Sequence, residues 1–99
     1  MKINVGDETF LVHFNTYSFE SSYEIESAKK KLTGIKCIVR VMDGDVKSFV
    51  SSGDVKQNAH DKCNLVFARK IAFTKAIEIF PKEDREIFWE EYKKEVRYK

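Results

Sequence analysis

The chain has 99 residues, of which 42% are hydrophobic, 13% aromatic and 34% charged. That length makes one domain, able to bury about two-thirds of its unfolded surface at most, and the apolar content excludes wholesale disorder. The 18 basic and 16 acidic residues leave a formal net charge of +2, so any nucleic-acid binding has to come from a local patch rather than an overall basic excess.

Residues 3–5 and 9–14 read as a hairpin about Gly6 and Asp7. In the second run Phe10, Val12 and Phe14 share one face, while Leu11 and His13 take the other. Residues 15–20 alternate Tyr17 and Phe19 with polar neighbours and can extend the strand. Residues 21–33 fit a short helix. Ser21 or Ser22 caps it, Glu24 or Glu26 sits in its first turn, and Ile25, Ala28 and Leu32 follow helical spacing. Lys29, Lys30 and Lys31 then complement its C-terminal end, with Gly34 just beyond. Tyr23 and Ile25 suit a strand as well.

Residues 35–42, IKCIVRVM, carry the strongest strand pattern. Ile35, Cys37, Val39 and Val41 fall on one face and Ile38 and Met42 on the other, which predicts a central strand. Asp43-Gly44 is a hairpin signal, and residues 46–50 return as the next strand. Residues 51–64, SSGDVKQNAHDKCN, read as one long polar loop of the kind that often carries function. Asn64 caps the helix that follows.

Two helices, 65–80 and 82–97, close the chain. Pro81 ends the first and suits the first turn of the second, where Glu83, Asp84 and Glu86 meet the positive end of the dipole. Phe88, Trp89, Tyr92 and Val96 form an apolar stripe, and Glu90 and Lys94 an i,i+4 pair. The first helix is apolar nearly all round, which predicts a place between the sheet and the last helix. Together these elements predict a single α+β domain: a small antiparallel sheet of about four strands, with a short helix at 21–33, packed against two C-terminal helices.

No run of about 18 apolar residues is present, so no membrane partner is expected. The first residues lack the apolar core of a signal peptide, which places the chain in the cytoplasm of its cell. Cys37 and Cys63 read as two free thiols. His60 and Cys63 are spaced like half a zinc site that His13 and Cys37 would complete. No second paired motif supports it, so the expectation is no metal and no cofactor. Cys63 with His13 or His60 is the candidate nucleophile pair. No oxyanion loop, nucleophile elbow or glycine-rich phosphate loop accompanies it, and the expectation is a protein that is not an enzyme.

Several surfaces remain as candidates for a partner. Lys29, Lys30 and Lys31 read as a solvated helix end or, with Arg69, Lys70 and Lys75, as a patch for phosphates. Arg69 falls in the apolar arc of its helix, between Leu65, Phe73, Ala76 and Phe80. A lone arginine there is costly unless paired. It is therefore either an internal clamp on Asp61, Glu90 or Glu91, or a residue that faces a ligand. Lys56, His60 and Lys62 lie in the long loop. Ile87 and Tyr98 project opposite the Trp89 stripe, as incidental exposure or as a contact for a partner or a homodimer.

The second half of the chain carries a recognisable pattern. From Asn64 through Tyr92 it reads N-x4-R-K-x-A-F-x-K-A, then F-P-K-E-x-R-x-x-F-W-x-x-Y. This resembles a family of small phage- and prophage-encoded proteins of unannotated function, which end in a G-R-K-x-A-L-x-R-A-L helix and an acidic helix with tryptophan. Arg69, Lys70, Ala72, Lys75, Ala76, Trp89 and Tyr92 are the matching positions, and Gly34 to Ile38 stands where the family carries its cysteine strand. The family's glycine is Ala68 here, and its second arginine is Lys75. The resemblance covers about the last two-thirds of the chain. It implies an accessory protein that binds and blocks a host protein, including host-defence nucleases such as a CRISPR nuclease. The alternative is a nucleic-acid-binding module built on a local lysine and arginine patch.

Overall fold

Two glycine-led turns set the sheet. In the computed structural model, which describes residues 1–20, 31–57 and 64–97, β1 (Lys2–Val5) pairs with β2 (Glu8–Glu20), β2 with β3 (Lys31–Asp43), and β3 with β4 (Val46–Lys56). All pairings are antiparallel, in the order β1-β2-β3-β4. Val5 pairs with Glu8 and Asp43 with Val46, so Gly6-Asp7 and Gly44-Asp45 are the turn residues. Gly6 has φ 60° and Gly44 φ 62°, a region that side chains disfavour. The Asp-Gly signal at 43–44 marks the right hairpin, but Gly44 opens the turn and Asp43 ends the strand.

Two helices follow, α1 (Leu65–Ile77) and α2 (Lys82–Arg97). Asn64 caps α1, its Oδ1 accepting from the Phe67 amide at 3.1 Å. The helices cover one face of the sheet, α1 over β3 and β4 and α2 over β1. The fold is the α+β arrangement of sheet and C-terminal helices that the sequence predicts.

The alternation of apolar residues sorts as expected. Phe10, Val12, Ile35, Cys37 and Val39 are buried beneath the helices. From the helices come Ala72, Phe73, Ala76, Ile77, Phe88 and Tyr92. Phe10 meets Phe80 and Phe88 at one end of this layer, at ring separations of 5.2 and 5.5 Å. Phe73 stacks on Tyr92 at 4.8 Å in its middle and meets Trp89 edge-on at 4.9 Å.

Other expectations change. The helix expected over 21–33 does not extend to its last residues: Lys31, Leu32 and Thr33 belong to β3 and pair with Glu20, Phe19 and Ser18. The rest of that segment lies outside the described residues. Gly34 is a strand residue, not a helix end. Tyr17, its cross-strand partner, lies over it, where a Cβ would strike the ring. The first six residues of the expected 51–64 loop continue β4. α1 ends at Ile77 rather than residue 80. The Phe80 amide closes a tighter turn onto the Ile77 carbonyl, because the residue before a proline avoids helical geometry. α1 is not sandwiched either. The helices lie side by side, and Leu65, Val66 and Phe67 are exposed. Lys94 pairs with Glu91 at 3.2 Å rather than with Glu90, an exposed contact that contributes little.

The junction of α1 and β4 explains why the helices sit as they do. Ser51, Gly53 and Val55 point to the helix face. A Cβ on Gly53 would fall on the Ala72 carbonyl oxygen, the Ala76 amide and the Lys75 Cβ. The helix backbone at Ala72 and Ala76 therefore lies directly on the strand. The Ser51 hydroxyl donates to the Ala76 carbonyl, and the Lys75 ammonium donates to the Asp54 carbonyl at 3.1 Å. Gly53→Ala forces backbone against backbone, and denaturant unfolding should register a loss of about 3 kcal/mol or more. Gly34→Ala displaces only the far end of the Tyr17 side chain and should lose less than half of that.

Candidate functional site

The helix pair leaves a groove at its outer side and open end. On the outer side it is a cavity of about 480 Å³ lined by Lys70, Trp89, Tyr92, Lys93 and Val96. Tyr92 and Val96 also line an adjoining cavity of about 430 Å³, which Phe14 and Val12 floor and Val66, Arg69 and Glu95 flank. The two cavities share Tyr92 and Val96 and together make the groove, or channel, beside α1 and α2. Its apolar walls end in exposed anchors, since Val66 and Val96 show 64% and 47% of their surface. Arg69, Lys70 and Lys93 set positive charge along it, opposed by Glu95.

Arg69 is not the buried clamp expected from its helical position. It is exposed, and among the described residues no carboxylate pairs with it. It falls in the first turns of α1, past the end of the tightly packed core, and its guanidinium lies 5.2 Å above the Phe14 ring. Burial pushes the Tyr92 hydroxyl pKa up, and the nearby Arg69 charge pulls against that shift.

The other predicted residues disperse. Lys70 joins Arg69 at the groove. Lys75 turns to β4 instead, so the helix basic residues do not form one patch. Lys56 ends β4 with its ammonium 5.7 Å above the Phe19 ring. Lys31 opens β3 opposite Glu20. Ile87 is 36% exposed on α2. Lys29, Lys30, His60, Lys62, Cys63 and Tyr98 lie outside the described residues.

Cys37 and His13 are kept apart by the pleat. Cys37 pairs with Phe14 and His13 with Ile38, so Cys37 faces the helices and His13 the open side. Burial pushes the Cys37 thiol pKa up to about 12. It is protonated at neutral pH, and neither thiolate attack nor metal ligation suits it. Among the described residues no three His, Cys, Asp or Glu side chains gather as they would around a metal ion.

A second surface has Lys56 alone, among the described residues, in common with the expected site residues. Among the described residues no helix packs on the sheet face away from α1 and α2, although Leu32 at its far end is buried. A β-bulge sits between Val39 and Arg40, where Val39 pairs with Ser51 but Arg40 pairs with Phe49. The extra residue, Val50, shifts the alternation by one. Phe49 therefore shares the face of Arg40 and Leu11, and is 65% exposed. Farther along this face the Tyr17 hydroxyl donates to Asp54 at 2.6 Å. Burial, with the hydrogen bond and charge of Asp54, pushes the Tyr17 pKa up to about 12. A signal for this surface was present in IKCIVRVM, whose second face is apolar and basic.

Comparison of the chain with protein-family models, with curated proteins and with solved structures returns no match. No helix among the described residues is long and apolar enough to cross a membrane.

Arg69→Ala tests the placement of that side chain. An exposed cation over a ring contributes on the order of 0.5–1 kcal/mol, so thermal or denaturant unfolding should fall by no more than about 1 kcal/mol. A loss of several kcal/mol would restore the buried clamp.

Proposed function

We propose that this is a non-enzymatic binding protein of the phage accessory type, one that acts in the host cytoplasm by occupying the surface of a host protein. A host-defence nuclease is the target class to which the resemblance of its C-terminal helices leads. The carrying observation is the channel between α1 and α2, which joins exposed apolar anchors to a cationic rim. The partner segment it suits is amphipathic, with apolar side chains to fill the channel and carboxylates to meet Lys70 and Lys93. Several residues of the resemblance, Arg69, Lys70, Trp89 and Tyr92, line or flank this channel.

The test is affinity capture from nuclease-treated host lysate with native protein, with Val96→Glu, and with the Lys70→Glu, Lys93→Glu pair. The expected result is one protein captured by the native chain and lost at least tenfold from both variants, while their melting temperatures stay near native. Capture that ignores the groove variants, or that disappears on nuclease treatment, contradicts the proposal.

A further inference from the structure

We propose that the open face of the sheet is a separate binding surface for single-stranded nucleic acid, with Phe49 as its stacking platform. Three observations lead there, none of which involves the channel between the helices.

The first is the bulge. The alternation that buries Ser51, Gly53 and Val55 would carry Phe49 toward the helix face. The added residue at Val50 turns it outward instead, where most of its surface meets solvent. An aromatic ring held in water gains nothing for the fold, and a bulge that re-aims a side chain is a common device at binding sites. Leu11, Ile38 and Met42, each half-buried, surround its row and leave it standing above a shallow apolar floor.

The second is charge. By register, Lys2, Lys36, Arg40, Lys47 and Lys56 share the open face with Phe49, and Asp54 is the acid among them. The hydroxyl of Tyr17 already engages that carboxylate. This face thus holds more positive charge than the whole chain nets, which is +2. A second copy of the same face would be repelled, whereas a polyanion is attracted.

The third is shape. Tyr17 lies over Gly34, where any Cβ would meet its ring, so the aromatic is laid along the sheet rather than raised from it. From the Phe49 row at Arg40 to the Tyr17 row at Gly34, β3 spans about 20 Å at ~3.3 Å per residue. Two aromatic platforms on one sheet face, with cations between and beside them, suit a chain whose bases unstack onto rings while its phosphates meet lysine and arginine. A duplex hides its base faces and cannot use Phe49. The near end carries Asp7 and Asp45 in its two turns, with Glu8 and Asp43 beside them, which bounds the lane on that side and directs the strand from Phe49 toward Lys56.

The probe is a fluorescein-labelled oligothymidine of roughly 12 nucleotides, followed by anisotropy through a salt series from about 20 mM. The native chain should bind, and binding should weaken steadily as salt rises. Phe49→Ala should weaken it roughly 5- to 100-fold. Phe49→Leu, which keeps the apolar bulk, should weaken it comparably while the melting temperature stays native. Arg40→Gln with Lys36→Gln should lower the salt slope by roughly 1.4. The groove variant Val96→Glu should bind the oligonucleotide as the native chain does, which separates this surface from the one proposed for a host protein. Absence of binding at the lowest salt overturns the proposal, as does affinity unchanged by the Phe49 variants. Equal affinity for a duplex of the same length, or equal competition by poly-glutamate, would make the face a general polyanion or acidic-peptide surface and would also overturn it.

Discussion

The close approach of α1 to β4 at Gly53 is the constraint on which the rest of this fold depends. A helix normally rests on a sheet through side chains of some bulk. Here the Ala72 carbonyl and the Ala76 amide sit where a Cβ on Gly53 would be. The helix is lowered onto the strand, and Ser51 and Lys75 fasten it by hydrogen bonds to opposite backbones. That depth brings Phe73 and Ile77 into the space above Cys37 and Val39, and Phe73 then aligns Trp89, Tyr92 and Phe88 on the second helix. With α1 seated over β3 and β4, α2 takes the remaining sheet surface over β1.

The same seating decides which surfaces stay free. Both helices occupy one side, so among the described residues the opposite side of the sheet keeps its half-apolar, basic face. Because the helices lie next to one another instead of stacked, a channel persists between them, and the N-terminal turns of α1 pass beyond the core with Val66 and Arg69 in solvent. The bulge at Val50 lies only a few residues before Gly53 in β4. One strand thus carries both the small residues that admit the helix and the shift that turns Phe49 away from it.

Much of the fold was legible in the residues because its signals were local. Gly6 and Gly44 mark the hairpins, the alternation in 35–42 marks a central strand, Asn64 caps α1, and Pro81 separates the helices. The misreadings share a physical cause, in that tertiary contacts gave a local pattern another meaning. SSGDVK reads as a loop because two of its inward residues, Ser51 and Gly53, are small and carry no apolar side chain. They are small because a helix backbone lies on them, and Ser51 is satisfied by a helix carbonyl. Gly34 reads as a helix end because glycine is common there, yet it serves to receive the ring of Tyr17. Arg69 reads as buried because its helix is apolar all round, but the wheel does not say where the core stops along the axis. The site was less legible than the fold. Arg69 and Lys70, singled out in the sequence, line the groove, whereas Phe49 was not singled out, since a single inserted residue in a pairing leaves no mark in composition or period.

Two surfaces on opposite sides of one small domain form the central claim, a channel for a protein segment and a sheet face for a single strand. Amide-resolved NMR of the intact chain during titration with oligothymidine separates them most directly. Shift changes are expected at Leu11, Ile38, Arg40 and Phe49, with Ala72, Phe73 and Phe88 unmoved. Changes centred on α1 and α2, with the strand amides silent, would contradict it.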